Sequence, residues 1–197
     1  MTPMTRRHYL VIGAGVLSIG LLAWVVAREL DEPSVVQPTA QPAVVEPPTP
    51  PPGVPRITAT LFYGAADGAT LIPVQREVAL ANGTIPQARE ILLAQLQGAP
   101  APYASVIPDG TTLRAFYTTE RGDAFVDLSP EVAARHPGGS STELLTVYAV
   151  VNAVTANLPT IQRVQILIDG REVDTLAGHV DLRRPLERDF STVRAER

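Results

Sequence analysis

The chain has 197 residues, 45% of them hydrophobic and only 18% charged, with sixteen basic residues against twenty acidic ones. A soluble chain carries about 25% charged residues, so part of this one is greasier than a globular domain. A net charge of −4 argues against a nucleic-acid binder, which needs a basic patch or stripe. The absence of cysteine excludes disulfides, thiolate catalysis, iron–sulfur clusters and a cysteine-linked lipid, and three histidines leave little for a zinc site.

The excess hydrophobicity sits at the N-terminus. Residues 1–7 end in Arg6-Arg7, and the next twenty, His8 to Ala27, contain no Asp, Glu, Lys or Arg. A helix of that length spans about 30 Å, the hydrocarbon thickness of a bilayer. Tyr9 and Trp24 stand near its ends, where amphipathic rings favour the interface. The run is longer than the apolar core of a cleaved signal peptide and ends in Val25-Val26-Ala27-Arg28-Glu29, a poor cleavage site. Segment 8–27 is therefore expected to be a retained signal anchor. Arg6-Arg7 on one side, and Glu29, Asp31 and Glu32 on the other, put residues 1–7 in the cytoplasm and everything after 27 outside.

Residues 28–55 read as a linker. Nine of the nineteen prolines lie between Pro33 and Pro55, including Pro50-Pro51-Pro52. Proline lacks a backbone donor and fixes φ, so this stretch joins neither a helix nor a central strand. In polyproline II form residues 31–55 reach up to about 75 Å, which suits a stalk.

From Arg56 the composition turns globular. Ile57, Ala59, Leu61 and Tyr63 alternate with Thr58, Thr60 and Phe62, the period of a half-buried strand. Asp67-Gly68 turns the chain and Leu71–Leu80 returns as a hairpin partner. Thr84 as N-cap, with Gln87 three residues on and Gly98 past the end, marks a first helix. Strands are expected over 111–119 and 123–128. Ser140 with Glu143 reads as the capping box of a second helix, apolar on most sides and ended by Pro159. Arg163–Asp169 is a continuous apolar strand, and Asp169-Gly170 signals a type I′ hairpin into Arg171–Leu176. The order describes an α+β domain, one mostly antiparallel sheet packed by two helices, over residues 56–190, with 191–197 as a C-terminal tail.

An ordered series of short motifs resembles the GerMN domain family, first named from a spore-germination and sporulation protein. It runs from about Thr58 to Leu186 and includes Leu61-Phe62-Tyr63, Ile107-Pro108-Asp109-Gly110-Thr111 and Val126-Asp127-Leu128-Ser129. Further on come Gly139-Ser140 with Glu143, Val151-Asn152, Val164–Gly170 and Gly178-His179-Val180-Asp181-Leu182. Gly98-Ala99-Pro100 and Ala153 depart from the pattern without removing a reactive group. The resemblance implies a bacterial extracytoplasmic domain on a membrane anchor, similar in fold to ring-building modules of secretion and sporulation complexes. Some members are fused to cell-wall amidases. The resemblance carries no catalytic residues.

Two constellations invite a chemical reading. Asp127, Asp169 and Asp181 each close a strand and, if gathered at one sheet end, offer three carboxylates to a divalent cation. Asp at such positions more often stabilises a turn through its side chain. His179 with Asp181 and Ser140 or Ser129 has the residue types of a hydrolase triad, yet no G-x-S-x-G elbow is present. His136 falls in a loop, and Walker, dinucleotide-binding and HExxH motifs are absent.

The sequence therefore leads us to expect a non-enzymatic protein with no catalytic, cofactor-binding or metal residues. It is expected to span the bacterial cytoplasmic (inner) membrane once through residues 8–27, with its C-terminal domain extracytoplasmic. Its expected partners are another protein or peptidoglycan, with self-association among the options and no nucleic acid. The role expected is one in sporulation, germination or envelope assembly. The alternative is an accessory or weak enzyme of peptidoglycan remodelling.

Overall fold

Alternating Ile57, Ala59 and Leu61 build the first strand, β1 (Arg56–Gly64), which pairs antiparallel with β2 (Leu71–Ala79) over nine residues from Arg56↔Ala79 to Gly64↔Leu71. The structure, a computed structural model, describes residues 53–194. The expected anchor 8–27 and the linker up to residue 52 lie outside the described residues. Among the described residues no helix is long and apolar enough to cross a membrane.

After the hairpin come α1 (Thr84–Leu96), β3 (Leu113–Thr118), β4 (Asp123–Leu128), the short α2 (Glu131–Ala134), α3 (Ser140–Asn157), β5 (Arg163–Ile168), β6 (Arg171–Glu172) and β7 (Leu186–Glu187). The α+β class and the mostly antiparallel pairing stand, but the single sheet does not. The β1–β2 hairpin is a sheet of its own, and the other five strands form a second, mixed sheet in which β4 and β5 run parallel, Asp123↔Arg163 to Leu128↔Ile168. The reason lies in the connection. α3 separates β4 from β5, and a helical crossover returns the chain in the same direction, whereas a tight turn would reverse it.

Both long helices touch both sheets: α1 packs on β1, β2 and β3, and α3 on β1, β5 and β7. Their shared interior holds Leu61 and Leu71 of the hairpin, Ile91 and Leu92 of α1, and Val147, Val150, Val151 and Val154 of α3. Val126, Leu128, Val164 and Ile166 of the mixed sheet complete it. Four β-branched valines weaken a helix in isolation; α3 is held by this burial instead.

Both long helices begin differently from the expected capping pattern. Gly83 and Gly139, both at positive φ, occupy the N-cap positions, and neither helix has a side-chain cap bond. Thr84 and Ser140 are the first helical residues, so their hydroxyls sit one position too late to cap. Gln87 instead accepts from the Ala81 N–H at 2.8 Å and donates to the Ala79 carbonyl at 3.1 Å, tying α1 to the end of β2. The Asp169-Gly170 turn has φ of 53° and 74°, positive at both central residues as a type I′ turn requires. Residues 190–194 also pack on the hairpin. Leu71 donates to the Thr192 carbonyl and accepts from the Arg194 N–H, each at 2.8 Å.

Candidate functional site

Residues 173–185 lie between two strands of only two residues each, so few of their backbone groups have a ladder to join. Buried N–H and C=O groups need partners, and α3 supplies them. Glu143, on its first turn, is fully buried. One carboxylate oxygen, Oε1, accepts from the N–H of Leu176 at 2.8 Å and of Ala177 at 2.9 Å. The other, Oε2, accepts from the N–H of His179 at 2.9 Å and lies 3.1 Å from its Nδ1. Burial by itself pushes a carboxyl group up. Here the backbone N–H groups of Ala177, His179, Val180 and Leu176 outweigh burial and hold Glu143 below its ordinary value.

The other polar side chains of α3 work in the same way. Asn152, also fully buried, donates to the Asp189 carbonyl at 2.8 Å and accepts from its N–H at 3.0 Å. The Thr146 hydroxyl donates to the Val106 carbonyl at 2.5 Å and meets His136 Nε2 at 3.1 Å. His136 Nδ1 accepts from the Gly138 N–H at 3.0 Å, which places the ring proton on Nε2. Gln165 of β5 donates to the Leu182 carbonyl. The 173–190 segment is thus pinned along its length.

The structure divides the three candidate aspartates. Asp127, buried at the end of β4, accepts from the Gly170 N–H at 2.8 Å and lies 3.4 Å from Arg114 Nε; the same guanidinium reaches Asp169 at 3.0 Å. These two carboxylates meet, but an arginine already balances them. Asp181 does not join them. It holds Arg183 through Nε at 2.9 Å and Nη2 at 2.8 Å, and Arg183 keeps its carboxyl well below the usual range. Among the described residues no group of three or more His, Asp or Glu side chains is placed to hold a metal ion.

The residues imagined as a triad are not brought together either. The His179 ring faces Glu143, not Asp181. Ser129 Oγ accepts from the Thr112 N–H at 3.0 Å, tying the end of β4 to the start of β3, while Ser140 sits exposed at the entry to α3. What the pinned segment presents is a surface of Arg183, Arg184, Arg188 and Phe190, all exposed. Phe190 covers the buried Phe62, ring centroids 6.1 Å apart at 22°, and Arg188 lies 5.9 Å from the Phe190 ring centre.

Sequence reasoning missed Gln95, Asn157 and the destination of the Glu143 carboxylate. Gln95 donates to the Phe62 carbonyl at 2.7 Å and accepts from its N–H at 2.9 Å. Asn157 does the same for Thr60, at 2.7 and 2.8 Å. The available signal was a carboxamide or carboxylate standing alone on an apolar helical face.

A family model described as "Germane: Sporulation and spore germination" matches residues 60–174, more than half of the chain. The chain belongs to the Germane family. That assignment agrees with the resemblance drawn from the motifs, and the family is linked to sporulation and germination. The fold of this Germane chain is shared with a protein from Clostridium perfringens described as a lipoprotein, at 24% identity and TM-score 0.50, covering 68% of this chain and 89% of that one. It is shared too with the tandem GerMN domains of the sporulation protein GerM from Bacillus subtilis, at 16% identity and TM-score 0.51, covering 68% of this chain and 46% of that one. The Germane chain thus spans about half the length of the tandem structure. No curated protein matches the chain.

Proposed function

We propose that this Germane protein is a membrane-anchored, non-enzymatic component of the bacterial envelope. Its domain binds a protein or the cell wall through a fixed surface, within sporulation, germination or envelope assembly. The observation that carries the reading is the Glu143 site: a buried charge spent on holding a loop, through backbone groups, in one shape. A binding surface needs that kind of preorganisation, because ordering a loop at the moment of association costs affinity. The uncharged stretch 8–27 and the proline-rich linker support the anchor.

The test incubates the purified full-length protein with peptidoglycan and a panel of esters, with and without divalent cations. Co-sedimentation or capture without turnover is the expected result. Hydrolysis that disappears in His179→Ala or Asp127→Ala, while those variants melt normally, overturns the reading.

A further inference from the structure

Exposed strand edges invite pairing with another chain, and folded proteins blunt them. This domain blunts much of its own, although Thr58 on β1 and Gln75 on β2 keep outward backbone groups that, among the described residues, no hydrogen bond from outside the hairpin reaches. The outer edge of β1 is closed at Thr60 by Asn157, at Phe62 by Gln95, and at Gly64 by the Ala104 backbone, at 2.8 and 2.9 Å. A Cβ on Gly64 would stand 2.8 Å from Val106, so only glycine permits that approach. Along the outer edge of β2, Leu71 is taken by Thr192 and Arg194, and Pro73 has no N–H. The Glu77 and Ala79 carbonyls accept from Arg56 and Gln87. β6 and β7 are two residues each.

The outer edge of β3 is treated differently. The Thr119 N–H donates to the Asp123 carbonyl, so the alternation of the antiparallel ladder hydrogen-bonds Tyr117 to Phe125. Phe116 and Thr118 then direct their N–H and C=O groups away from β4. Among the described residues no hydrogen bond from outside the β3–β4 ladder reaches them. Between them stands Tyr117, 57% exposed, the most exposed large hydrophobic side chain of the described residues.

We infer that this edge is a self-association site, β3 pairing antiparallel with β3 of a second copy about a two-fold axis at Tyr117. In that register Phe116 and Thr118 exchange both backbone hydrogen bonds with Thr118 and Phe116 of the second copy. Tyr117 meets its twin in a non-hydrogen-bonded pair, the closer of the two cross-strand spacings and a favourable place for aromatic pairs. The window is short, limited by the register shift between Leu113 and Ala115. Holding both copies in one membrane raises their effective concentration, and to that extent the inference rests on the anchored reading above.

The chain has no cysteine, which permits a direct test in intact membranes. Tyr117→Cys, Thr119→Cys and Gln75→Cys are expressed singly in the full-length protein and oxidised; all three positions are exposed. In the inferred register the Cα atoms of the paired Tyr117 positions lie about 4.5 Å apart, within the span a disulfide bridges. The Thr119 positions are displaced by about 13 Å along the strands. Tyr117→Cys is expected to give at least tenfold more covalent dimer than either other variant. A monomer at Tyr117→Cys, or equal crosslinking at all three, overturns the inference. If that monomer still sediments with peptidoglycan, the strand pairing fails and the binding reading stands; hydrolysis of the wall with intact crosslinking has the opposite meaning.

Discussion

Three backbone N–H groups of the 176–179 turn end on the Glu143 carboxylate, that of Leu176 in a buried bond and those of Ala177 and His179 in part-buried ones, so Glu143→Ala removes the partner of all three. Each unsatisfied buried group costs about 1–3 kcal/mol. Thermal melting should therefore fall by roughly 10 °C. Glu143→Gln is only a partial remedy, because its amide nitrogen turns a donor toward donors. The pH dependence has a definite sign. Glu143 has a lowered pKa in the folded state, so the unfolded chain binds the proton more tightly. Its contribution is complete above the ordinary carboxyl range and is lost as pH falls toward the folded value. Between about pH 5 and 3, Tm of Glu143→Gln should fall less steeply than that of the wild type. Equal slopes would remove Glu143 from the account. At this scale the sequence was legible in residue type but not in destination. Ser140-x-x-Glu143 has the spacing of a capping box, but the loop that claims the carboxylate lies more than thirty residues further on.

The alternation in β1 predicted which side chains face the core, except at Phe62. That residue is 1% exposed because Phe190, far along the chain, covers it. Local period carries the strand; it cannot carry a lid supplied by another segment. The single-sheet expectation failed for a related reason, since hydrophobic pattern marks strands without assigning them to sheets. The helix between β4 and β5 was itself the sign of a parallel pair. The edge closure of β1 makes its own prediction. Gln95→Ala and Asn157→Ala each unpair one N–H and one C=O, at a cost of about 1–3 kcal/mol per group. Gln95→Ala should be the more damaging, because Gln95 and Phe62 are buried whereas Thr60 and Asn157 keep partial access to water. Chemical denaturation of the two single variants checks the order.

For the whole molecule, family membership was readable from the ordered motifs, and no single motif sufficed. Topology makes a separate prediction. In the proposed anchored topology, which places Arg6-Arg7 in the cytoplasm, a periplasm-active reporter fused after Arg197 should be active and a cytoplasm-active one silent. Mass spectrometry of the native protein should find residues 1–28 retained. A mature start near Arg28 or Glu29 would mean a cleaved leader.

Glu143, Asn152, Asn157 and Gln95 all grip main-chain groups of the segments they hold. Every residue except proline presents the same N–H and C=O, so most side chains of the gripped loops are no part of the bond that fixes them. Such a loop can exchange its outward residues while keeping its path. In the proposed binding role the domain is in that sense a frame with a replaceable face, whose outward residues such as Arg184 or Arg188 can be exchanged without refolding.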